Sequence, residues 1–265
     1  MRAVLITLLV LSTTAAPAAA QAKPDRVEYD WKRDGAITLG ASLAWVASET
    51  FLKSHLAPAS CRWCDDNAMD RAVRDALRWD DREAAHLGSN VTSYLLAPAS
   101  ALGFTALAAL HDGRKDALAG DALIVLEATI LAVDLNQLVK FVVGRQRPLV
   151  RAGVDYPADD ANLSFYSGHT TLAFVLATSS ATVASMRGYR WAPWIWGTGL
   201  TVAAASGYLR LAADRHYLSD VVVGAVIGSA VGIAVPYFFH RKGDDRLPAP
   251  QLTSGGLALG WSGRW

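Results

Sequence analysis

The chain has 265 residues, of which 52% are hydrophobic and 18% are charged, so it can form the apolar core of one large domain and is not intrinsically disordered. A net charge of +1 excludes the clustered basic excess that binds a nucleic-acid backbone, and two cysteines are too few for a disulfide framework. The mean hydropathy of +0.21 is high for a soluble enzyme and low for a protein that lies wholly in a bilayer. The composition therefore leaves open whether protein or lipid covers the apolar residues.

Residues 1–20 have the order of a secretory signal peptide. Arg2 precedes an apolar run over residues 3–11, and small residues from Ala15 to Ala20 follow it. An apolar core of about ten residues is short for a membrane span of about twenty, so export is favoured over the alternative of an uncleaved anchor. We expect export to the periplasm, with cleavage near Ala20.

Residues 21–93 are predicted to form an N-terminal helix followed by a charged cap. The apolar stretch 35–52 is long enough for a helix, whereas acidic and basic residues spread over residues 53–93 are typical of a solvated face. Within this cap, Cys61 and Cys64 form a Cys-x-x-Cys pair. Because no βαβ pattern lies beside it, an exported pair of this kind indicates a local disulfide rather than a redox motif.

The rest of the chain predicts an all-α, apolar bundle of about six core helices, membrane-embedded or membrane-associated. Apolar stretches rich in Ala, Leu and Val recur between short polar turns, at residues 35–52, 94–110, 119–141, 170–186, 191–209 and 218–239. The core is assigned to residues 94–240, and residues 241–265 to a polar tail whose alternating pattern permits a short strand. Three tryptophans at the start of the fifth stretch fit an interfacial belt or core packing equally well: Trp191, Trp194 and Trp196.

The first cluster of polar residues at the end of an apolar stretch runs from Lys140 to Pro148, where ionisable groups are costly unless they are used. Lys140 and Arg147 are seven residues apart, so a helix that continues through both would place them on one face as an anion clamp. Pro148 disfavours helical geometry at Arg147 and should end the helix there. The alternative is a pair of basic side chains that snorkel at a helix terminus.

The second cluster is Ser167-Gly168-His169, directly before the stretch that starts at Thr170. Ser is a favourable N-cap and Gly permits close approach, so the free N–H groups of this helix start would face an anion. His169 would then lie beside that anion as a proton donor. Taken alone, the three residues are more simply explained as a capped helix start.

The third cluster runs from Arg210 to Asp220. His216 and Asp220 are four residues apart, so on a helix the carboxylate would accept a hydrogen bond from one ring nitrogen and leave the other nitrogen basic. A lone His/Asp pair is more often structural than catalytic. Here, however, the other two clusters accompany it.

Together, K-x6-RP, SGH and R-x5-H-x3-D, in this order, resemble the three-part signature of the type 2 phosphatidic acid phosphatase (PAP2) superfamily, which includes lipid phosphatases, bacterial class A acid phosphatases and vanadium haloperoxidases. The resemblance covers about residues 95–240. Two positions depart from it, because Tyr166 stands where the family usually has Pro and Leu209 where it usually has Ser. Tyr166 should relax the turn that enters the helix, and Leu209 should remove a hydroxyl contact near the phosphate.

The resemblance implies a role for each matching residue. His216 would attack phosphorus to form a phosphohistidine, Asp220 would orient it, and His169 would protonate the leaving oxygen and then activate water. The phosphoryl oxygens would be held by Lys140, Arg147, Ser167, Gly168 and Arg210. Because fixed cations would replace a metal, we expect no cofactor and inhibition by vanadate. The isolated Glu127 and Asp134 do not form a magnesium site and are expected to be internal hydrogen-bonding partners.

The implied function is a metal-independent phosphatase that hydrolyses a phosphate monoester or pyrophosphate, with a phosphorylated lipid as the expected substrate. The alternatives are a soluble periplasmic non-specific acid phosphatase, a vanadate-dependent haloperoxidase and a catalytically inactive membrane scaffold. Peroxide-dependent halide oxidation would identify the haloperoxidase, and a phosphatase assay with vanadate inhibition would exclude the scaffold. The membrane is an expected partner and nucleic acid is not, whereas no residue selects the substrate or the oligomeric state.

The two sides of a six-span bundle would differ in charge. The three motifs lie on one side, and the positive-inside rule assigns the other side to the cytoplasm because its turns hold Arg114, Lys115, Arg187, Arg190, Arg241 and Lys242. Residues 21–34 would then be cytoplasmic, which a cleaved signal peptide forbids. Either the first segment is not cleaved, or stretch 35–52 does not span, or the whole bundle is exported. Each alternative permits a periplasmic active site, and we predict that location.

Overall fold

The computed structural model describes residues 25–242, 250–253 and 256–259, so the predicted signal peptide and its cleavage position at Ala20 lie outside the described residues. The described helices are α1 Trp31–Val46, α2 Lys53–Leu56, α3 Ala68–Leu77, α4 Arg82–Val91, α5 Ala97–His111, α6 Leu118–Val143, α7 Pro148–Arg151, α8 Gly168–Arg187, α9 Ala192–Ala212 and α10 Leu218–Ala234. Two strands in the tail, β1 Pro250–Thr253 and β2 Gly256–Leu259, pair antiparallel. The all-α class of the core is therefore confirmed.

Short π-helical turns extend three of these helices. Ala47–Phe51 continues α1, Val235–Phe239 continues α10, and Thr92–Leu96 joins α4 to α5. The last of these turns corrects the predicted domain boundary between residues 93 and 94, because that position lies inside one helical segment that runs over Arg82–His111. The charged segment and the apolar core are thus parts of one unit.

The charged segment 53–93 is also more buried than its pattern predicts. Asp70 and Ser89 are fully buried, and so is Ala85 on α4. Side chains at the helix starts explain part of the polar composition, because Asn67 accepts a hydrogen bond from the Asp70 N–H and Asp81 accepts one from the Ala84 N–H. The prediction of a solvated cap is therefore wrong for these inward-facing positions.

Helix α8 lies at the centre of the bundle and is packed by α5, α6, α9 and α10. Small residues permit the closest of these approaches. A Cβ on Gly228 of α10 would lie 2.7 Å from the Thr171 carbonyl oxygen of α8, which is shorter than any ordinary contact. The backbone of α10 consequently packs directly against that of α8.

One end of the bundle is closed by ion pairs. Arg187 at the end of α8 contacts Asp121 at 2.8 Å and Asp25 at 2.9 Å, and Arg114 contacts Asp25 at 2.7 Å. Tyr189 donates a hydrogen bond to Asp121 at 2.7 Å. The first described residues of the chain are therefore fixed to the basic turns that the sequence assigns to the cytoplasmic side.

His240 is buried inside the bundle, between α1 and α6. One ring nitrogen, Nε2, lies 3.3 Å from Glu127 of α6, and the other, Nδ1, lies 3.7 Å from Asp34 of α1. The hydrogen-bond partner of Nδ1 is the Glu28 carbonyl oxygen at 3.2 Å, whereas Nε2 and Glu127 Oε2 are buried without a hydrogen bond. Glu127 thus lies inside the bundle beside His240, and Asp134 is only half-buried.

Large apolar side chains are exposed along three helices that flank the core. They include Leu39 and Leu43 of α1, Leu107 of α5, and Val226 of α10, with exposures of 50% to 62%. Two helical segments, Arg82–His111 and Leu218–Phe239, are long and apolar enough to cross a membrane. Of the three tryptophans, Trp194 is 74% exposed, whereas Trp191 and Trp196 pack against buried alanines.

Candidate active site

The three sequence motifs meet at one cavity of about 620 Å³ at the opposite end of the bundle from Arg187. Lys140 comes from the C-terminal turn of α6, His169 from the first turn of α8, Arg210 from the end of α9, and His216 from the loop before α10. The cavity is also lined by residues of the N-terminal part of the chain, namely Trp45, Glu49, Lys53, His86, Asn90 and Tyr94.

His216 is buried and its tautomer is fixed. Its Nδ1 atom lies 2.8 Å from the carbonyl oxygen of Ser164, which can only accept, so Nδ1 carries the proton. Its Nε2 atom lies 3.2 Å from Arg147 Nη1, which can only donate, so Nε2 carries the lone pair. Burial lowers the pKa of His216 well below its usual value, and the neighbouring Arg147 and Arg210 lower it further. The ring is thus a neutral base that faces the cavity.

The contact predicted between His216 and Asp220 is not a hydrogen bond. His216 precedes Tyr217, the N-cap of α10, so helical spacing does not apply, and the Nδ1 to Oδ2 distance is 3.7 Å. Asp220 instead accepts the Tyr217 N–H at 2.9 Å and the Ser164 hydroxyl at 2.6 Å. Its carboxylate therefore acts on the loop that holds His216 rather than on the ring itself.

Lys140 and Arg147 line the same cavity, but the predicted continuous helix is wrong. Helix α6 ends at Val143 because Gly144 adopts a left-handed conformation with φ of +59°, and Arg147 has extended geometry as the N-cap of α7. Arg147 donates to the Asp160 carbonyl and to its carboxylate, both at 2.9 Å. The turn at Gly144 and the extended geometry of Arg147, rather than a shared helix face, bring the two cations to one cavity.

Ser167 and Gly168 form the start of α8 in different ways. Ser167 occupies the N-cap position, but its side chain caps no N–H group and instead accepts the Thr170 hydroxyl at 2.9 Å, so the predicted side-chain cap is wrong. A Cβ on Gly168 would lie 3.0 Å from Asn136 Oδ1 and 3.2 Å from Lys140 Nζ. Glycine therefore lets the α8 terminus, with its free N–H groups, approach Lys140 closely.

Helix α4 positions two of the predicted site residues. Arg210 donates to His86 Nδ1 and to Ser89 Oγ, both at 3.0 Å. His169 Nε2 lies 2.8 Å from Asn90 Oδ1, and its ring packs 4.7 Å from that of Tyr94. Sequence reasoning missed these contacts, because α4 belongs to the segment 53–93, whose composition indicates only a solvated face.

Asp160 is an acidic group beside the cations of the cavity, and no motif identifies it. Burial opposes its ionisation, but Arg147, Lys140 and Lys53 together hold the pKa of its carboxyl below the usual range. The Tyr156 hydroxyl adds a hydrogen bond at 3.0 Å. Asp160 therefore stays ionised and balances part of the positive charge where an anion would bind.

The two departures from the motif have defined surroundings. The carbonyl of Tyr166 accepts the Asn136 amide N–H at 2.7 Å, which ties the turn before α8 to α6. Leu209 lies beside Gly88, since a Cβ there would meet the Leu209 side chain at 3.4 Å. Leu209 thus packs α9 against α4 and is not part of the cavity lining.

Cys61 and Cys64 form a disulfide with a Cα separation of 5.4 Å. The loop that they close covers the end of α6, because Arg62 donates to the Phe141 and Val142 carbonyls at 3.1 Å and 2.8 Å. These are carbonyls that the end of a helix leaves without partners. The disulfide loop therefore supports the turn that leads from Lys140 to Arg147.

Residues 121–244 match the family model of the PAP2 superfamily. Over 93 residues the chain is 38% identical to the lipid A 1-phosphatase of Porphyromonas gingivalis, and this alignment covers 35% of the chain and 18% of that relative. The segment matched by the family model contains all three motifs, so residues 121–244 belong to the PAP2 superfamily. The chain thus spans only a small part of its relative's length, and it supplies α1 to α5 from outside the matched segment.

Proposed function

We propose that the protein is a phosphatase that hydrolyses a phosphate monoester or pyrophosphate of a lipid. The observation that carries the proposal is the unprotonated Nε2 atom of His216, which faces a cavity lined by Lys140, Arg147 and Arg210. Phosphoryl transfer needs an aligned nucleophile and neutralisation of charge on the phosphoryl oxygens. This cavity provides both within one buried space.

In the first half-reaction, the Nε2 lone pair of His216 attacks phosphorus, and the bond from phosphorus to the leaving oxygen breaks as the P–N bond forms. His169 gives that oxygen a proton. In the second half-reaction, His169 takes a proton from water, the water oxygen attacks phosphorus, and phosphate leaves His216. The three cations and the N–H groups of α8 neutralise the phosphoryl oxygens throughout, so the mechanism uses no metal.

Three observations support a lipid substrate. Apolar residues from α6 and α8 form part of the cavity wall, namely Ile130, Val133 and Leu172. The exposed apolar faces of α1, α5 and α10 suit contact with acyl chains. The relative from Porphyromonas gingivalis is named for a lipid phosphate. Membrane association follows, and washing membranes with carbonate should leave the protein in the pellet, whereas a soluble phosphatase would be released.

Substitution His216→Ala tests the nucleophile. We expect kcat to fall by at least about a thousandfold, which corresponds to about 4 kcal/mol of barrier, because alanine removes the Nε2 lone pair that would form the bond to phosphorus. His55→Ala is the matched control, since that histidine is exposed and does not line the cavity, and it should retain full activity. Turnover of His216→Ala within about tenfold of wild type would exclude the assignment.

Inhibitors separate the proposed reaction from its alternatives. Vanadate should inhibit hydrolysis of p-nitrophenyl phosphate competitively, because it occupies the phosphoryl position, and EDTA should have no effect. Reversible loss of activity in EDTA with recovery on adding metal would contradict the metal-free mechanism. Peroxide-dependent halide oxidation in the presence of vanadate would instead identify a haloperoxidase.

A further inference from the structure

Asp70 of α3 is a buried carboxylate outside the segment matched by the family model, and the mechanism above does not use it. It is fully buried and accepts hydrogen bonds from four donors. Arg145 Nη2 lies 2.8 Å away, the Ser219 N–H 2.9 Å, the Ser219 hydroxyl 2.7 Å and the Asn67 amide 2.8 Å. Both carboxylate oxygens are thus used as acceptors.

Arg145 connects Asp70 to the site. Its guanidinium is buried between the rings of Trp63 and Tyr217, at 4.0 Å and 4.2 Å from their centres. One end of the guanidinium donates to Asp70, and the other donates to Asp220 Oδ1 at 2.5 Å. The planar group is held on both faces and at both ends, so it transmits the position of α3 to Asp220.

The same network continues to the nucleophile. Asp220 Oδ2 accepts the Ser164 hydroxyl at 2.6 Å, and the Ser164 N–H donates to the Arg145 carbonyl at 2.9 Å. Ser164 is thereby fixed by its side chain and its main chain. Its carbonyl oxygen, in turn, receives Nδ1–H of His216 at 2.8 Å, and this contact sets the direction of the Nε2 lone pair.

We infer that Asp70 is a positioning residue for His216, acting through Arg145, Asp220 and Ser164. The inference rests on the proposed phosphatase function. Arg145 forms ion pairs with two carboxylates, Asp70 and Asp220. Asp70 also fixes Ser219 in the first turn of α10. An uncharged or shifted group at this place would let Arg145 and Ser164 move, and a misplacement of about 1 Å at a reacting atom can cost about 100-fold in rate.

Asp70→Asn tests the inference because asparagine keeps the volume but turns an N–H₂ group toward donors. With p-nitrophenyl phosphate, we expect kcat to fall between about tenfold and about 100-fold. The inhibition constant of inorganic phosphate should stay within about threefold, because the cations that bind it are untouched. A merely structural defect would change both constants or lower only the folded fraction, which is measured separately by size-exclusion chromatography.

Two further variants complete the experiment. Arg71→Gln is the control, because Arg71 is exposed on the same helix and pairs with Asp66, and its kcat should equal that of wild type. Asp70→Asn combined with Ser164→Ala should lose less than the product of the single losses, because both act through one chain of contacts. If Asp70→Asn does not fold, Ser219→Ala replaces it and should lower kcat in the same way.

The outcomes are distinct. A folded Asp70→Asn protein with the kcat of wild type overturns the inference, and so do fully multiplicative losses in the double variant. If wild type itself does not hydrolyse the phosphomonoester, the proposed function fails first and the inference fails with it.

Discussion

His169 and His216 share one electrostatic environment, and this determines how the site obtains its proton. Burial lowers the pKa of each imidazole well below the usual value, and Arg210, Lys140 and Arg147 lower it further. At neutral pH both rings of the free protein are therefore neutral. The proton that His169 gives to the leaving oxygen must then enter with the substrate, as the monoanion of the phosphate ester, and pass to the ring first.

The pH dependence follows from this argument. As pH falls from 8 to about 6, kcat/KM should rise along the second ionisation of the phosphomonoester, whose pKa is about 6. It should decline only well below pH 6.5, where protonation of His216 removes the Nε2 lone pair. Two substrates with different phosphate pKa values provide the check, since the pH at which kcat/KM falls on the alkaline side should follow the pKa of the substrate. A fall near pH 6.5 for both substrates would contradict the expectation.

Asp220→Asn should be milder than His216→Ala, because Asp220 acts on the loop around His216 and not on its ring. Loss of the ion pair to Arg145 and of the acceptor for Ser164 would leave the nucleophile present but less well aligned. We expect kcat to fall by about 100-fold at most. Steady-state kinetics of both variants check this, and an equal loss in the two would mean that Asp220 takes part in the chemistry directly.

At the residue scale, most of the motif residues line the cavity, but Ser167 and Asp220 do not, and the motifs do not predict how the others are held. Lys140, His169 and His216 lie in the cavity as expected. The partners Asn90 and Asp70 are outside every motif, and they belong to helices whose charges look solvated in the sequence. Hydrogen bonds over such separations depend on how helices pack, and local spacing carries no information about that.

At the element scale, the apolar stretches predicted the long helices because their length and composition permit little else. The links between them were harder to predict. The π-helical turn over Thr92–Leu96 carries the chain from a charged helix into an apolar one without a break, so a change of composition marked a boundary that the backbone does not have. The end of α6 was misplaced for a related reason, because Gly144 stops the helix before Pro148 can.

The contact between α8 and α10 gives a test at this scale. Gly228→Ala would put a Cβ 2.7 Å from a backbone oxygen, so the helices must separate, and we expect a loss of about 1–3 kcal/mol in the free energy of unfolding. Gly197→Ala on α9 is the matched control, because a Cβ there meets nothing within 4 Å, and it should be neutral or slightly stabilising. Thermal unfolding of both variants is the measurement. Equal midpoints would mean that α10 is not held against α8 as described.

On the scale of the whole molecule, the bundle has a cavity at one end and a network of basic residues at the other. Asp25 belongs to the basic end, since it contacts Arg114 at 2.7 Å, while Trp45 and Glu49 line the cavity. Helix α1 therefore runs from one end to the other beside α6. Among the described residues, however, α1 with its π-helical turn is not one of the two helical segments that are long and apolar enough to cross a membrane.

Single cysteines test the predicted periplasmic location of the cavity, and they distinguish a bundle that spans the membrane from one that is exported whole. In a Cys61→Ser/Cys64→Ser background expressed in a bacterial host, Asp159→Cys marks the cavity end and Asp116→Cys the basic end, and both positions are exposed. We expect an impermeant maleimide to label Asp159→Cys in intact spheroplasts. Protection of that position until lysis would contradict a periplasmic site.

Whether Asp116→Cys is labelled should depend on whether the predicted signal peptide is cleaved. Because Arg114 and Asp25 are in contact, the basic end and the residues that follow the predicted signal peptide lie on the same side. If the bundle spans the membrane, we expect Asp116→Cys to be protected and residues 1–20 to be retained. If the whole bundle is exported, we expect Asp116→Cys to be labelled and N-terminal sequencing of the protein to begin near residue 21. A protected Asp116→Cys together with a processed N-terminus would break this link, because one end of the bundle cannot face both compartments.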